Sequence, residues 1–149
     1  MPAVASPIDN LIMNIVEEIH VRSSLEATFA AILEELGPSN VGQNNAPMPM
    51  VLEAWPGGRW FRDLGDNNGH FWGQVQAIKR PTLLEITGPL MISSASTSNL
   101  QYRLKQVEGG TLITFHHTAL GLLPDGHREG FAEGWKGISD RIRRRAEQA

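Results

Sequence analysis

Between residues 50 and 120 the chain is a succession of short alternating apolar runs, each closed by a cluster of glycine, proline or asparagine. Side chains along a strand point to opposite faces in turn, so such runs describe an antiparallel sheet with one buried face. The runs cover residues 50–55, 59–64, 70–79, 83–87, 99–107 and 111–120. Pro56-Gly57-Gly58 and Gly65-Asp66-Asn67-Asn68-Gly69 supply tight turns between them. Glu108-Gly109-Gly110 does the same before the last run, and residues 90–97 read as a loop or irregular edge. A further strand over 12–22, with Ile15, Ile19 and Val21 opposite Asn14, Glu18 and His20, brings the count to seven. Glu17 interrupts its apolar row, and either sits near a strand end or points a carboxylate into the interior.

A sheet with one apolar face needs cover. Phe131, Trp135, Ile138 and Ile142 recur at helical offsets within residues 125–149 and form one apolar stripe on a long helix. A second helix follows the first strand. Ser23 and Glu26 are spaced to satisfy two free amides reciprocally at its start, Leu25, Phe29, Ile32, Leu33 and Leu36 form its apolar face, and Gly37-Pro38 closes it. Residues 38–49, with three prolines and three asparagines, are a loop with room for one short helical turn. A loop of this length often serves as a lid or portal. The fold class is α+β: a curved antiparallel sheet of about seven strands wrapped around a long C-terminal helix, with a helix between strands 1 and 2. The space between sheet and long helix is the natural place for a ligand.

The length of 149 residues suits one domain, expected over residues 11–149 behind a mobile leader at 1–10. The chain contains no cysteine, which removes thiolate catalysis and thiolate metal sites and is compatible with a cytoplasmic location. A formal net charge of -3 gives no general attraction for nucleic acid, and no run reaches the roughly 20 apolar residues of a membrane helix. The histidines at 20, 70 and 127 are scattered, and His116-His117 is wrongly spaced for one strand face, so neither a metal nor another cofactor is expected.

The sequence resembles the START-like superfamily, also called SRPBCC, with the helix-grip fold of the birch-pollen-allergen type. Its most similar branch is the bacterial group homologous to the chaperone ATPase activator. The resemblance is carried by Val21-Arg22-Ser23-Ser24-Leu25-Glu26 at the first strand-to-helix junction and by Pro56-Gly57-Gly58-Arg59-Trp60 at the glycine turn. Gly73-Gln74-Val75, Arg80-Pro81, Gly109-Gly110-Thr111 and Gly134-Trp135 continue it, so that it covers nearly the whole chain. These are turns and packing positions, and they speak for the fold. The superfamily holds lipid and hormone binders, polyketide cyclases, oxygenase ligand-binding domains and chaperone co-factors, and a shared fold does not choose among them. The Rieske cysteines are lacking.

In register, the sheet face meeting the helix includes Leu52 and Trp60, then Phe71 and Val75, then Leu84 and Ile86, and finally Tyr102, Phe115 and His117. Phe131 and Trp135 close it from the helix side. An aromatic-rich face with few polar groups suits a small hydrophobic or aromatic molecule, although the same residues would also fill an ordinary core. His117 and Tyr102 are the candidate interior polar groups. They would either be satisfied structurally or, in a cyclase-like or hydratase-like enzyme, move a proton and steady an oxyanion. Glu53 and Arg62 are expected as a charged element at the pocket mouth or as solvated surface charges. Gly130, Gly134 and Gly137 recur in the last helix, either for close approach to the sheet or to leave room for a ligand or let the helix bend as a gate. Arg141, Arg143, Arg144 and Arg145 are expected to face solvent and complement the helix dipole. An interaction module, chaperone-directed or homodimeric, is the alternative from another class, and it predicts an exposed apolar patch.

Overall fold

The computed structural model describes residues 8–149. Of the expected leader, residues 1–7 lie outside the described residues, and Asp9–Leu11 form one 3-10 turn. The strands are β1 (Ile12–Val21), β2 (Val51–Leu52), β3 (Arg59–Gly65), β4 (Asn68–Lys79), β5 (Leu83–Gly88), β6 (Ser96–Val107) and β7 (Gly110–Gly121). The two α-helices are α1 (Leu25–Leu36) and α2 (His127–Glu147). The strands form one antiparallel sheet in the order β1-β7-β6-β5-β4-β3-β2, curved around α2 in the helix-grip arrangement. Alternation sets the core: Thr111, Ile113, Phe115, His117 and Ala119 of β7 are buried in succession, while Thr118 and Leu120 are exposed.

Local chemistry fixes the junctions. Ser24, rather than Ser23, caps α1, its Oγ accepting from the Ala27 amide at 3.1 Å. Glu26 therefore falls one position too early for a reciprocal cap. Gly37 ends α1 at φ −104° and ψ −121°, where a Cβ would lie 2.8 Å from the Leu33 carbonyl oxygen. It is needed for space and not for a left-handed backbone. The Pro56-Gly57-Gly58 turn uses glycine both ways: Gly57 has φ +83°, and a Cβ on Gly58 would stand 1.8 Å from the Glu53 carbonyl oxygen. The strand expected over 50–55 shortens to β2 because Glu53 turns onto Arg59, accepting from its backbone amide at 2.8 Å and from Nε and Nη2 at 2.9 Å. Arg62 donates instead to the Pro49 carbonyl at 2.7 Å, so Glu53 and Arg62 do not pair with each other, and neither lines the groove.

One expected inward residue is on the wrong face. Trp60 pairs with Gly73 and Phe61 with Phe71, which leaves Trp72 as an extra residue in β4. This bulge reverses the alternation upstream of Val75, so Trp72 is buried and Phe71 is 44% exposed on the outer face. Phe71 thereby joins Val51 and Phe61 in one outward-facing register row. Glu17 takes the less ordinary of its two alternatives: it is mid-strand, half-buried, and accepts from Ser139 Oγ on α2 at 3.1 Å.

The helix α2 packs against α1 and β1. Trp135, Ser139, Ile142 and Ala146 form its buried face, whereas Phe131 and Ile138 of the expected stripe are only half-buried. Its arginines do not all face solvent. Arg145 Nε donates to the buried Glu35 of α1 at 2.7 Å, and Arg141 Nε lies 3.3 Å from the other oxygen of that carboxylate. Arg143 and Arg144 pair with Asp140.

Candidate functional site

The long helix covers the β1 side of the sheet and leaves a groove of about 780 Å³ on the other side. Trp60 of β3 and Trp72 of β4, with Met91 from the connection between β5 and β6, form one wall, and residues 40–43 with Met48 form its rim. Phe131, Trp135 and Ile138 supply the helix wall, which explains why the two outer members of that stripe are not fully covered. The Trp60 and Trp72 rings meet edge to face with centroids 5.0 Å apart. Trp60 Nε1 donates to the Leu36 carbonyl at 2.8 Å and Trp72 Nε1 to His70 Nδ1 at 3.0 Å. With both indole N–H groups engaged inside the protein, the groove wall they offer is carbon.

Gly126, Gly130, Gly134 and Gly137 also line the groove. A Cβ on Gly130 or Gly134 would meet nothing within 4 Å among the described residues, and one on Gly137 would meet only Arg141 Nη1, at 3.5 Å. Close approach to the sheet is therefore not what these glycines serve, and their missing side chains widen the groove.

Of the residues expected to contact a ligand, Trp60, Phe131 and Trp135 meet at the groove. Val75, Leu84, Ile86, Tyr102, Phe115 and His117 point inward and are buried, but none of them lines the groove, whose own walls Trp60 and Trp135 are nearly as buried at 1% and 2% exposure. Leu52 is half-buried against that core, and Phe71 faces away. Sequence reasoning missed Trp72, Met48, Met91 and His127. Gly73 was the available signal for Trp72, since an isolated glycine inside a strand pattern marks a bulge or a close backbone approach. A Cβ there would sit 2.8 Å from the Thr87 carbonyl oxygen.

His117 is held on both sides. Trp135 Nε1 donates to its Nδ1 at 3.0 Å, so the neutral ring carries its proton on Nε2, 3.0 Å from Ser98 Oγ. Burial pushes its pKa down to about 4, which keeps it neutral at pH 7. His116, as expected, points the other way and reaches Asn14 Oδ1 at 2.8 Å. The Tyr102 hydroxyl is buried with no hydrogen-bond partner among the described residues, and its pKa is pushed up by burial and then by the Glu17 charge. The Glu17 carboxyl is itself pushed up by burial, against the opposing effects of Ser139 and Lys136. The one histidine on the groove is His127, whose Nδ1 is buried without a hydrogen-bond partner among the described residues. Among those residues no three His, Cys, Asp or Glu side chains converge as metal ligands do, and no helix is long and apolar enough to cross a membrane.

Solved structures share this architecture. An uncharacterized protein from Rhizobium leguminosarum superposes with a TM-score of 0.70 at 15% identity, covering 93% of this chain and 96% of its own. Ara h 8.0201 gives 0.69 at 14% identity, covering 93% and 99%. The di-domain ARO/CYC protein StfQ of the steffimycin biosynthetic pathway gives 0.63 at 12% identity, with 95% of this chain on 51% of that one. At these identities the likeness is one of fold, that of the START-like superfamily. No curated protein matches the chain in sequence. Residues 44–147, from the groove rim to the end of α2, match the sequence model described as Activator of Hsp90 ATPase homolog 1-like protein, and the chain belongs to that family.

Proposed function

We propose that the chain binds a small apolar or aromatic molecule in the groove between α2 and the Trp60–Trp72 wall. The observation that carries this reading is the set of helix glycines facing open space. Each costs about 1 kcal/mol against alanine within a helix. Gly130 and Gly134 meet no neighbour that would forbid a side chain, so packing within the described chain does not account for them. Width for a ligand does. The walls fit the same purpose: aromatic carbon for burial, and methionines at 48 and 91 that adjust to shape.

A cyclase-like reaction, of the kind the name of StfQ points to, has less support. His117 is occupied at both nitrogens, and neither it nor Tyr102 reaches the groove wall.

The test is a fluorescence titration with N-phenyl-1-naphthylamine, a neutral aromatic probe that brightens on leaving water. Wild type is expected to bind it saturably. Gly134→Leu, which fills the groove without touching the core, is expected to weaken binding by at least about tenfold, equivalent to about 1.4 kcal/mol. Equal binding by both would place the probe elsewhere and contradict the assignment.

A further inference from the structure

The groove is not apolar throughout. Its α2 wall runs from Gly126 to Arg141, fifteen residue steps and so about 22 Å along the helix, and Arg141 closes one end. Arg141 is also a wall of a second recess of about 620 Å³, which Glu35, Arg144, Arg145, Gln148 and Ala149 with its terminal carboxylate line beyond it, none of them reaching the groove. Its guanidinium lies beside Gly137, with Nη1 3.5 Å from where a Cβ would be, so the glycine leaves the charged head free to reach the groove.

The charges around Arg141 do not balance. Glu35 is the buried acid between α1 and α2, and its Oε2 is taken by Arg145 at 2.7 Å. Arg141 Nε is 3.3 Å from Glu35 Oε1, but the geometry makes no hydrogen bond: both atoms are buried without a hydrogen-bond partner among the described residues. One carboxylate thus faces two guanidinium groups. Asp140, the next acid along α2, is committed to Arg143 and Arg144. Glu133, the one acid lining the groove among the described residues, is exposed at the rim two turns before Arg141, about 12 Å away along the helix. An anion at the Arg141 end would complete the set.

Resting on the groove as the binding site, we propose that its occupant is an elongated apolar acid whose carboxylate pairs with Arg141 while its body lies along the glycine face of α2 against Trp60 and Trp72. A guanidinium with donors to spare suits a carboxylate, to which it can donate in parallel. The apolar length of the groove then sets where along the molecule the charge must fall.

The experiment is calorimetric titration of the full chain with two matched pairs, dodecanoate with dodecanol and pyrenebutyrate with pyrenebutanol. In at least one pair the acid is expected to bind at least about tenfold more tightly than the alcohol, as a charge-assisted hydrogen bond in a partly buried site provides. Arg141→Gln is expected to bring that ratio to about one, and Arg141→Lys to restore part of it. Should Arg141→Gln fold poorly by circular dichroism, the wild-type ratio and its decline with added salt carry the test. A wild-type ratio of one in every pair, or a ratio that survives Arg141→Gln, would overturn the acid assignment and leave the groove intact as a site. No binding of either member of either pair would overturn the groove reading and the acid with it.

Discussion

His117 sits at the centre of the buried polar groups, and its chemistry is stabilising because the ring is neutral. Trp135 donates to one nitrogen and Ser98 stands against the other. Its pKa falls from 6.5 to about 4 through burial. The unfolded chain therefore takes up the proton first on acidification. The contribution is complete above pH 6.5 and is lost as pH falls toward 4, amounting to about 3 kcal/mol in total. Glu17 works in the opposite direction: with its pKa raised by burial, its contribution is complete at low pH and declines as pH rises above the ordinary 4.5. The urea midpoint of the wild type is expected to drop between pH 7 and pH 4, and His117→Gln to show a shallower slope over that window. Parallel slopes would remove His117 from the account. Strand alternation made the inward direction of His117 and Phe115 legible in the sequence. Trp135 was legible as closing that face from the helix, but its hydrogen bond to His117 and the Ser98 contact were not, because they arise only when α2 and β6 pack around the ring.

At the level of elements, α2 does two incompatible things on two faces. Trp135, Ser139, Ile142 and Ala146 hold it to the core, while the adjacent face is kept bare by glycine. Bare glycine weakens a helix, so Gly134→Ala is expected to stabilise the protein by about 0.5–1 kcal/mol in urea unfolding. Destabilisation would instead mean that a close contact requires glycine there. The apolar stripe and the three glycines were both plain in the sequence, but whether the glycines faced the sheet or a space depended on how α2 is rolled against β1 and α1. Likewise, regular alternation predicted β4 well as a strand and misplaced Phe71, since one inserted residue at Trp72 reverses every position upstream of it. The arginines were legible as a helix-end cluster. Glu35 was not legible as their partner, because it lies on α1 beside the apolar positions and is paired only once the helices dock.

For the molecule as a whole, the two helices cover the inner face of the sheet unevenly. The β1 side is closed by α2 and α1, and on the opposite side Trp60 and Trp72, both buried, back the groove. A ligand there would contact β3, β4, the 40–48 rim and α2 together. The helix-grip arrangement itself was readable from runs, turns and one stripe. The position of the open side was not, because it depends on curvature and on where a single helix comes to rest. The most direct measurement is native mass spectrometry of the full chain as purified, wild type beside Gly134→Leu, each compared with its denatured mass and then incubated with N-phenyl-1-naphthylamine. The groove account predicts a reproducible small-molecule adduct on the wild type, either carried through purification or gained from the probe, and its loss in Gly134→Leu. An adduct of equal occupancy on both proteins, or a wild type that stays bare throughout, would contradict it.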